Sequence, residues 1–312
     1  MKKALKVLGL LAGTALLAGG VTFFLFPGTV VRLTNAQFAR AAGLQQQVRP
    51  VNGYDVHYYA SKAPDKAETL VLVHGLGDDK TSFLQAAKPL AAQYNLILVD
   101  LAGHGENEKK PGLDYSIHGQ MEFLHGFLAA QGITAFHLAG NSMGGHVAEA
   151  YALAYPQELR SLTLINAPGV TLDAHQVYAG FGAPVKDQAG LTKLMGRIFY
   201  QVPKLPAPIA GYLINQINGS MDFIDHTVIP AIIGGADYDL KDRVAGICTP
   251  TLILWGRPDA VVPFNVAEYY AAHIPGARLQ VLENASHSPQ LEVPGEVAAA
   301  LLAFLPSARP GR

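Results

Sequence analysis

Short runs of unbroken apolar residues recur along the chain: Leu70-Val71-Leu72-Val73, Leu96-Ile97-Leu98-Val99 and Leu252-Ile253-Leu254-Trp255. Leu162-Thr163-Leu164-Ile165 and Phe136-His137-Leu138-Ala139 carry one polar residue each in the same pattern. Runs of this length, bounded by turn residues, are strands buried on both faces, as in a parallel sheet. Tyr54-Asp55-Val56-His57-Tyr58 alternates instead and reads as an edge strand, and Arg278-Leu279-Gln280-Val281-Leu282 closes the series. Between the runs the spacing turns helical, over residues 81–93, 116–131, 264–272 and 294–305 and directly after Gly145. In 116–131, Ile117, Met121, Leu124, Phe127 and Leu128 fall on one stripe. Strands alternating with helices predict an α/β architecture, a mostly parallel sheet covered on both faces. Right-handed crossovers then bring the strand C-terminal ends, and any site, to one edge.

Two stretches break this rhythm. Residues 169–242 are helical and irregular, interrupted by Pro203, Pro206, Pro208 and Pro230. Leu191, Leu194, Met195, Ile198, Phe199, Ile209, Tyr212, Leu213, Ile214, Ile217, Met221, Phe223 and Ile224 make the stretch strongly apolar. It reads as a helical cap inserted between core segments 51–168 and 243–306, shaping an acyl pocket or a membrane-facing lid, or simply packing on the core. The N-terminus differs again. Residues 1–6 hold Lys2, Lys3 and Lys6, and residues 7–26 contain no charge, with only Thr14 and Thr22 polar. As a helix the apolar segment spans about 30 Å, the hydrocarbon thickness of a bilayer. An uncleaved signal anchor is the expectation, with the basic flank in the cytoplasm and the globular part in the periplasm or outside. A cleaved signal peptide, releasing a secreted protein, is the alternative. Residues 27–50 read as a membrane-proximal linker with a short helix near 37–42, and residues 307–312 as a tail.

Composition narrows the classes. With 50% hydrophobic and 15% charged residues in 312, the chain has ample core and no signature of disorder. A net charge of −1 gives no electrostatic footprint for nucleic acid. Cys248 is the single cysteine, so neither an internal disulfide nor a cysteine-based metal site is expected. Its place before a predicted strand suggests a small buried residue.

The candidate chemistry lies at strand ends. Gly140-Asn141-Ser142-Met143-Gly144 stands between a predicted strand and a predicted helix. A turn this sharp forces the central serine into a strained conformation, lifts its hydroxyl out of the sheet and leaves room only for glycine two residues away. A serine hydroxyl needs a base, and the base an orienting carboxylate. In this setting the chain order is serine, acid, histidine, and Ser142, Asp259 and His287 fit it, the latter two each just past a strand. Asp222, Asp225 and Asp242 follow no core strand, and Asp100 precedes the serine and reads as structural. His74 and His104 read as loop-shaping and His146 as a supporting or packing residue. The oxyanion of acyl transfer needs two backbone N–H donors, expected from Met143 and from Leu76 in the loop after the third strand.

In order, Val73-His74-Gly75, Asp100-Leu101-Ala102-Gly103-His104-Gly105, the serine turn, Trp255-Gly256-Arg257-Pro258-Asp259 and His287 resemble the α/β-hydrolase superfamily. The likeness covers about 53–305. Within it the chain is similar to membrane-anchored monoacylglycerol lipases and related bacterial lipases, through the N-terminal segment, Ser116-Ile117-His118-Gly119-Gln120 and Gly140 through Ala148 with Tyr151 and Tyr155-Pro156. That resemblance implies a serine carboxylic-ester hydrolase acting on lipid-like esters, with no metal or cofactor and a membrane contact through the N-terminal helix. Hydrolases of the meta-cleavage type, which break C–C bonds, share Gly-Asn-Ser-Met-Gly-Gly and give the alternative activity; a catalytically idle binding protein of the same fold is the other. The family often has glycine where Ser286 stands and serine where Glu106 stands.

Overall fold

The computed structural model describes residues 23–61, 68–172, 178 and 182–305. Almost all of the apolar 7–26 segment lies outside them, as do parts of 173–181 and the tail. Among the described residues no helix is long and apolar enough to cross a membrane.

The described elements are, in order, α1 (Pro27–Ala41), β1 (Gln45–Val51), β2 (Tyr54–Ala60) and β3 (Thr69–Val73). A short 3₁₀ turn leads into α2 (Leu84–Ala91), followed by β4 (Asn95–Val99), α3 (Ile117–Ala129), β5 (Phe136–Asn141), α4 (Met143–Ala154) and β6 (Leu159–Ile165). The cap contributes α5 (Gln188–Met195), α6 (Ala207–Phe223) and α7 (Ile229–Gly234). The core resumes with β7 (Thr251–Gly256), α8 (Phe264–His273), β8 (Arg278–Leu282), α9 (Pro289–Glu292) and α10 (Pro294–Phe304). The strands form one sheet in the order β1-β2-β4-β3-β5-β6-β7-β8. β1 and β2 pair antiparallel, β2 meets β4 antiparallel, and every other pair is parallel.

Alternation along each parallel strand sorts the core into two layers. Val71, Val73, Val99, Leu138, Leu164 and Ile253 face α3, α4 and α8. Leu70, Leu72, Leu98, Ala139, Ile165 and Leu254 face α2 and α10.

Three expectations change. Residues 27–50 are not a spacer. They hold a 15-residue helix and most of an edge strand, so β2 lies one strand in from the edge. Ala39 of α1 joins the second core layer, and Gly28 packs so closely on the cap that a Cβ there would stand 2.5 Å from the Tyr212 ring of α6. Cys248 is exposed, because its neighbours Ile247 and Thr249 take the inward positions. The apolar residues of the cap are in good part spent on packing. Val185, Leu191 and Ala210, with Leu194, Met195, Leu213, Ile214 and Ile217, form a separate small core inside it.

Candidate active site

β5 ends in the serine turn, and the backbone there is as strained as the spacing demands. Ser142 has φ 52° and ψ −124°, a region that costs a side-chain-bearing residue roughly 1–3 kcal/mol. The flanking glycines are forced by space. A Cβ on Gly140 would sit 2.1 Å from the Gly144 carbonyl oxygen, and one on Gly144 2.4 Å from that of His74. Ser142 immediately precedes α4, whose N-terminus favours negative charge beside it.

Loops after β7 and β8 bring the other two expected residues to this turn. The Ser142 hydroxyl lies 2.8 Å from Nε2 of His287, and His287 Nδ1 lies 2.9 Å from Oδ2 of Asp259. With Nδ1–H donating to the carboxylate, Nε2 is left as the acceptor for the serine proton. The carboxylate is held from all sides: Oδ1 accepts from the N–H groups of Val261 and Val262, and Oδ2 also accepts from Asn166 Nδ2 at 2.7 Å.

The residues that hold this arrangement were given no such part from sequence. Asn141 Nδ2 donates to the His287 carbonyl at 2.9 Å, while its Oδ1 accepts from Gln290 Nε2. Asn166, at φ 47°, also accepts from the Gly256 N–H and so ties β6 to β7 beneath Asp259. Glu292 accepts from Ser286 N and Tyr200 N, and His287 N donates to the Ile198 carbonyl, so the loop carrying His287 is laced to the cap. Ser286 donates to the Pro258 carbonyl at 3.1 Å, joining the histidine loop to the aspartate loop.

His74 takes the loop-shaping place expected of it. Its Nε2 accepts from Leu101 N–H, so Nδ1 carries the proton and donates to the Gly75 carbonyl at 2.7 Å. In a trans peptide the carbonyl and the following N–H point in opposite directions. Fixing the Gly75 oxygen therefore fixes the direction of the Leu76 N–H. Gly75 itself lies against the serine turn, its hypothetical Cβ 3.1 Å from Ser142 Cβ.

Behind α4 sits a second buried polar group. His146 contacts the Tyr178 hydroxyl at 2.9 Å and the Asp237 carbonyl at 2.8 Å, and burial holds it neutral, its pKa lowered to about 4. Glu149 accepts from the Tyr270 hydroxyl at 2.6 Å, and Gly169 at the cap entry leaves no room for a Cβ beside its carboxyl. Burial, with a smaller push from Asp239, raises Glu149 to about 8, although the Tyr270 hydrogen bond and Arg243 oppose the rise. A carboxyl raised in the folded state binds more protons there than in the unfolded chain, so stability falls as pH climbs from about 4.5 towards 8. Wild-type Tm should therefore decline by several degrees between pH 6 and 9, and Glu149→Gln should flatten that decline; scanning calorimetry across the window checks it.

Residues 68–294 match the family described as alpha/beta hydrolase fold. Monoacylglycerol lipase abhd6-B of Xenopus laevis is 30% identical over 308 residues, 94% of this chain and 91% of that protein. Lipase 1 of Psychrobacter immobilis is 28% identical over 263 residues, covering 80% of each. The crystal structure of a bacterial membrane phospholipase A, described as a virulence factor, superimposes with a TM-score of 0.83 at 31% identity over the whole of both chains. With the family matched across most of its length and the serine turn, sheet order and strand-end loops in place, this chain belongs to the α/β-hydrolase fold family.

Proposed function

We propose that the protein is a lipase or esterase that hydrolyses lipid-like carboxylic esters, monoacylglycerols foremost, through Ser142, His287 and Asp259. The observation that carries this reading is the unbroken path from hydroxyl to imidazole to carboxylate, 2.8 Å and then 2.9 Å. Ser142 Oγ attacks the ester carbonyl while His287 Nε2 takes its proton, and Asp259 stabilises the imidazolium that forms. The negative charge on the carbonyl oxygen is met by the N–H groups of Met143 and Leu76, each worth a few kcal/mol of barrier. Collapse of the tetrahedral species expels the alcohol, protonated by His287, and leaves an acyl-serine. Water deprotonated by His287 then attacks the acyl carbon, and the fatty acid departs as Ser142 recovers its proton.

The lipid preference rests on the relatives, named as lipases, and on the N-terminus. Phe24, Leu25 and Phe26, the last residues of the uncharged 7–26 segment that we assign to the membrane, are 68%, 67% and 59% exposed. The domain is then held outside the cytoplasm with α1 and the cap next to the bilayer.

The test is a turnover panel of monoacylglycerols, p-nitrophenyl acyl esters and a vinylogous diketone, with fluorophosphonate labelling. Ester turnover and a single label on Ser142 are expected. An unlabelled protein would point to a binding role, and turnover of the diketone alone to C–C hydrolysis.

A further inference from the structure

The cap carries a basic pocket that the proposed reaction does not use. It opens beside α5, has a volume of about 430 Å³, and its lining includes Lys186, Asp187, Lys193 and Arg197. Gly190, Lys193, Leu194 and Arg197 recur at the spacing of one helical face, and the Arg197 N–H donates to the Leu194 carbonyl as the helix ends. Lys186, Lys193 and Arg197 are exposed, and among the described residues none of them makes an ion pair, unlike Lys80, Arg160, Arg243 and Arg257. Asp187 is the one carboxylate among the described lining residues, and its Oδ1 is engaged by the Gly190 N–H at 2.8 Å as the cap of α5. The pocket keeps positive charge in excess. Like charges gathered on a surface repel, and an anion between them removes the repulsion.

The surroundings of the pocket indicate the anion. Leu191 and Leu194 of α5 share one small core with Leu213, Ile214 and Ile217 of α6, and α6 meets α1 where Tyr212 lies on Gly28. Since α1 starts directly after the apolar 7–26 segment, the pocket belongs to the same helical layer as the membrane attachment. That layer is basic. Residues 27–54 hold Arg32, Arg40 and Arg49 and no aspartate or glutamate, and Lys204 adds a fourth cation to residues 183–221, where Asp187 is the only acid. Tyr200, three residues beyond Arg197, is 48% exposed, an aromatic of the kind that settles at a bilayer interface. The same segment reaches the active site. Ile198, next to Arg197, accepts from the His287 N–H at 2.9 Å, and the Tyr200 N–H donates to Glu292 Oε2 at 2.6 Å.

We propose that this pocket binds the phosphate of an anionic phospholipid in the membrane surface, and that the bound phosphate steadies residues 197–200 and, through them, the His287 loop. The bilayer is then an activator of the site and not only a source of substrate. The inference rests on the ester-hydrolase reading and the membrane assignment above, and it adds a lipid site apart from the reacting one. A guanidinium can grip two phosphate oxygens at once, and the two lysines add point charges. A phosphatidylcholine head cancels its phosphate with its own ammonium, whereas a phosphatidylglycerol head keeps a full negative charge to match the excess in the pocket.

The experiment places the full chain in nanodiscs of ether-linked phosphatidylcholine, with or without ether-linked phosphatidylglycerol; ether lipids carry no carboxylic ester for the enzyme to consume. Lysine acetylation read by mass spectrometry is expected to slow about fivefold at Lys186 and Lys193 when phosphatidylglycerol is present. It should stay constant at Lys88, an exposed lysine of α2. On the same change of lipid, kcat for soluble p-nitrophenyl butyrate should rise about fivefold in wild type. It should not rise in Lys186→Gln/Lys193→Gln/Arg197→Gln, whose three positions are all exposed, so the core is left alone. Inorganic phosphate added to phosphatidylcholine discs should produce neither effect. Equal acetylation in the two discs, or slowing of the same size at Lys88, overturns the site. Shielding without a rise in kcat, or a rise that the triple variant keeps, overturns its hold on His287. A response to inorganic phosphate as large as that to the lipid overturns the membrane as the source. If no disc turns over any ester, the hydrolase reading falls, and acetylation still decides the site.

Discussion

Ser142→Ala is expected to lower kcat for p-nitrophenyl acyl esters by at least about 10⁴-fold, because the proposed acyl intermediate forms on the hydroxyl it removes. Circular dichroism and Tm should stay near wild type, since the serine packs little and only its hydroxyl is lost. Ser142→Gly carries the argument further. Both variants lack the hydroxyl and both leave His287 Nε2 without its partner, so activity should vanish equally. They differ in one respect: at φ 52° an alanine keeps the strain of a Cβ and glycine does not. The glycine variant should therefore melt above the alanine variant by a few degrees, the equivalent of about 1–3 kcal/mol of strain. Equal melting temperatures would mean that the turn stores no strain at Ser142. Residual turnover within a hundredfold of wild type would remove Ser142 from the proposed chemistry.

The serine turn was legible because its requirements are local. Gly140 and Gly144 are called for within five residues of chain, and the clash a Cβ would meet at Gly140 lies inside the turn itself, although the one at Gly144 is with the end of β3. Asp259 and His287 were legible because each directly follows a core strand, and the fold gathers those ends. The amides that hold them were not. Asn141 is already inside the motif, yet its task depends on His287 and Gln290, 146 and 149 positions away, and nothing in the local pattern records that. Asn166 is an ordinary strand-end residue until β6 and β7 become neighbours. The edge strand β1 was missed for a different reason. Gln45-Gln46-Gln47-Val48-Arg49-Pro50 is exposed at every position, so it shows no alternation to read. The cap's apolar residues were legible as apolar but not as to partner, and part of them form a small core among themselves. Glu106, where the family often has serine, acquires a reason from the structure: its carboxylate lies 2.6 Å from the Lys80 ammonium.

That lysine sets up the largest expected stability effect. Lys80→Met should destabilise the protein by about 3–5 kcal/mol, because it strands a buried carboxylate. Asp100 is fully buried after β4 and the Lys80 ammonium, 4% exposed, is 2.6 Å from its Oδ2. The Lys80 and Glu106 backbone N–H groups complete the shell at 2.7 Å and 3.0 Å. Burial alone would lower the lysine pKa, but Asp100 and Glu106 outweigh it and hold the pKa above its ordinary value. A raised lysine contributes its stability in full below its unfolded pKa of about 10.5 and loses it only as pH climbs past that, so the pair is intact at neutral pH. Removing the cation leaves Asp100 with neutral donors only. Gly105 shows how little the site can rearrange, for a Cβ there would stand 2.3 Å from the Asp100 carboxyl. Glu106 supplies the control: it also contacts Lys80, but at 53% exposure its attraction is screened by water. Glu106→Gln should cost no more than about 1 kcal/mol. Urea unfolding of the two variants at pH 7 measures both, and adding Asp100→Asn and Lys80→Met/Asp100→Asn closes a double-mutant cycle in which the buried pair should show strong coupling. The loops holding Leu76 and His104 spring from the two strands this pair ties together, at the ends of β3 and β4. The Lys80 variant should therefore lose ester turnover at temperatures where its far-UV signal is still native, as loosening of those loops precedes global unfolding. Equal losses for Lys80→Met and Glu106→Gln would show that the pair's burial adds nothing beyond a surface contact.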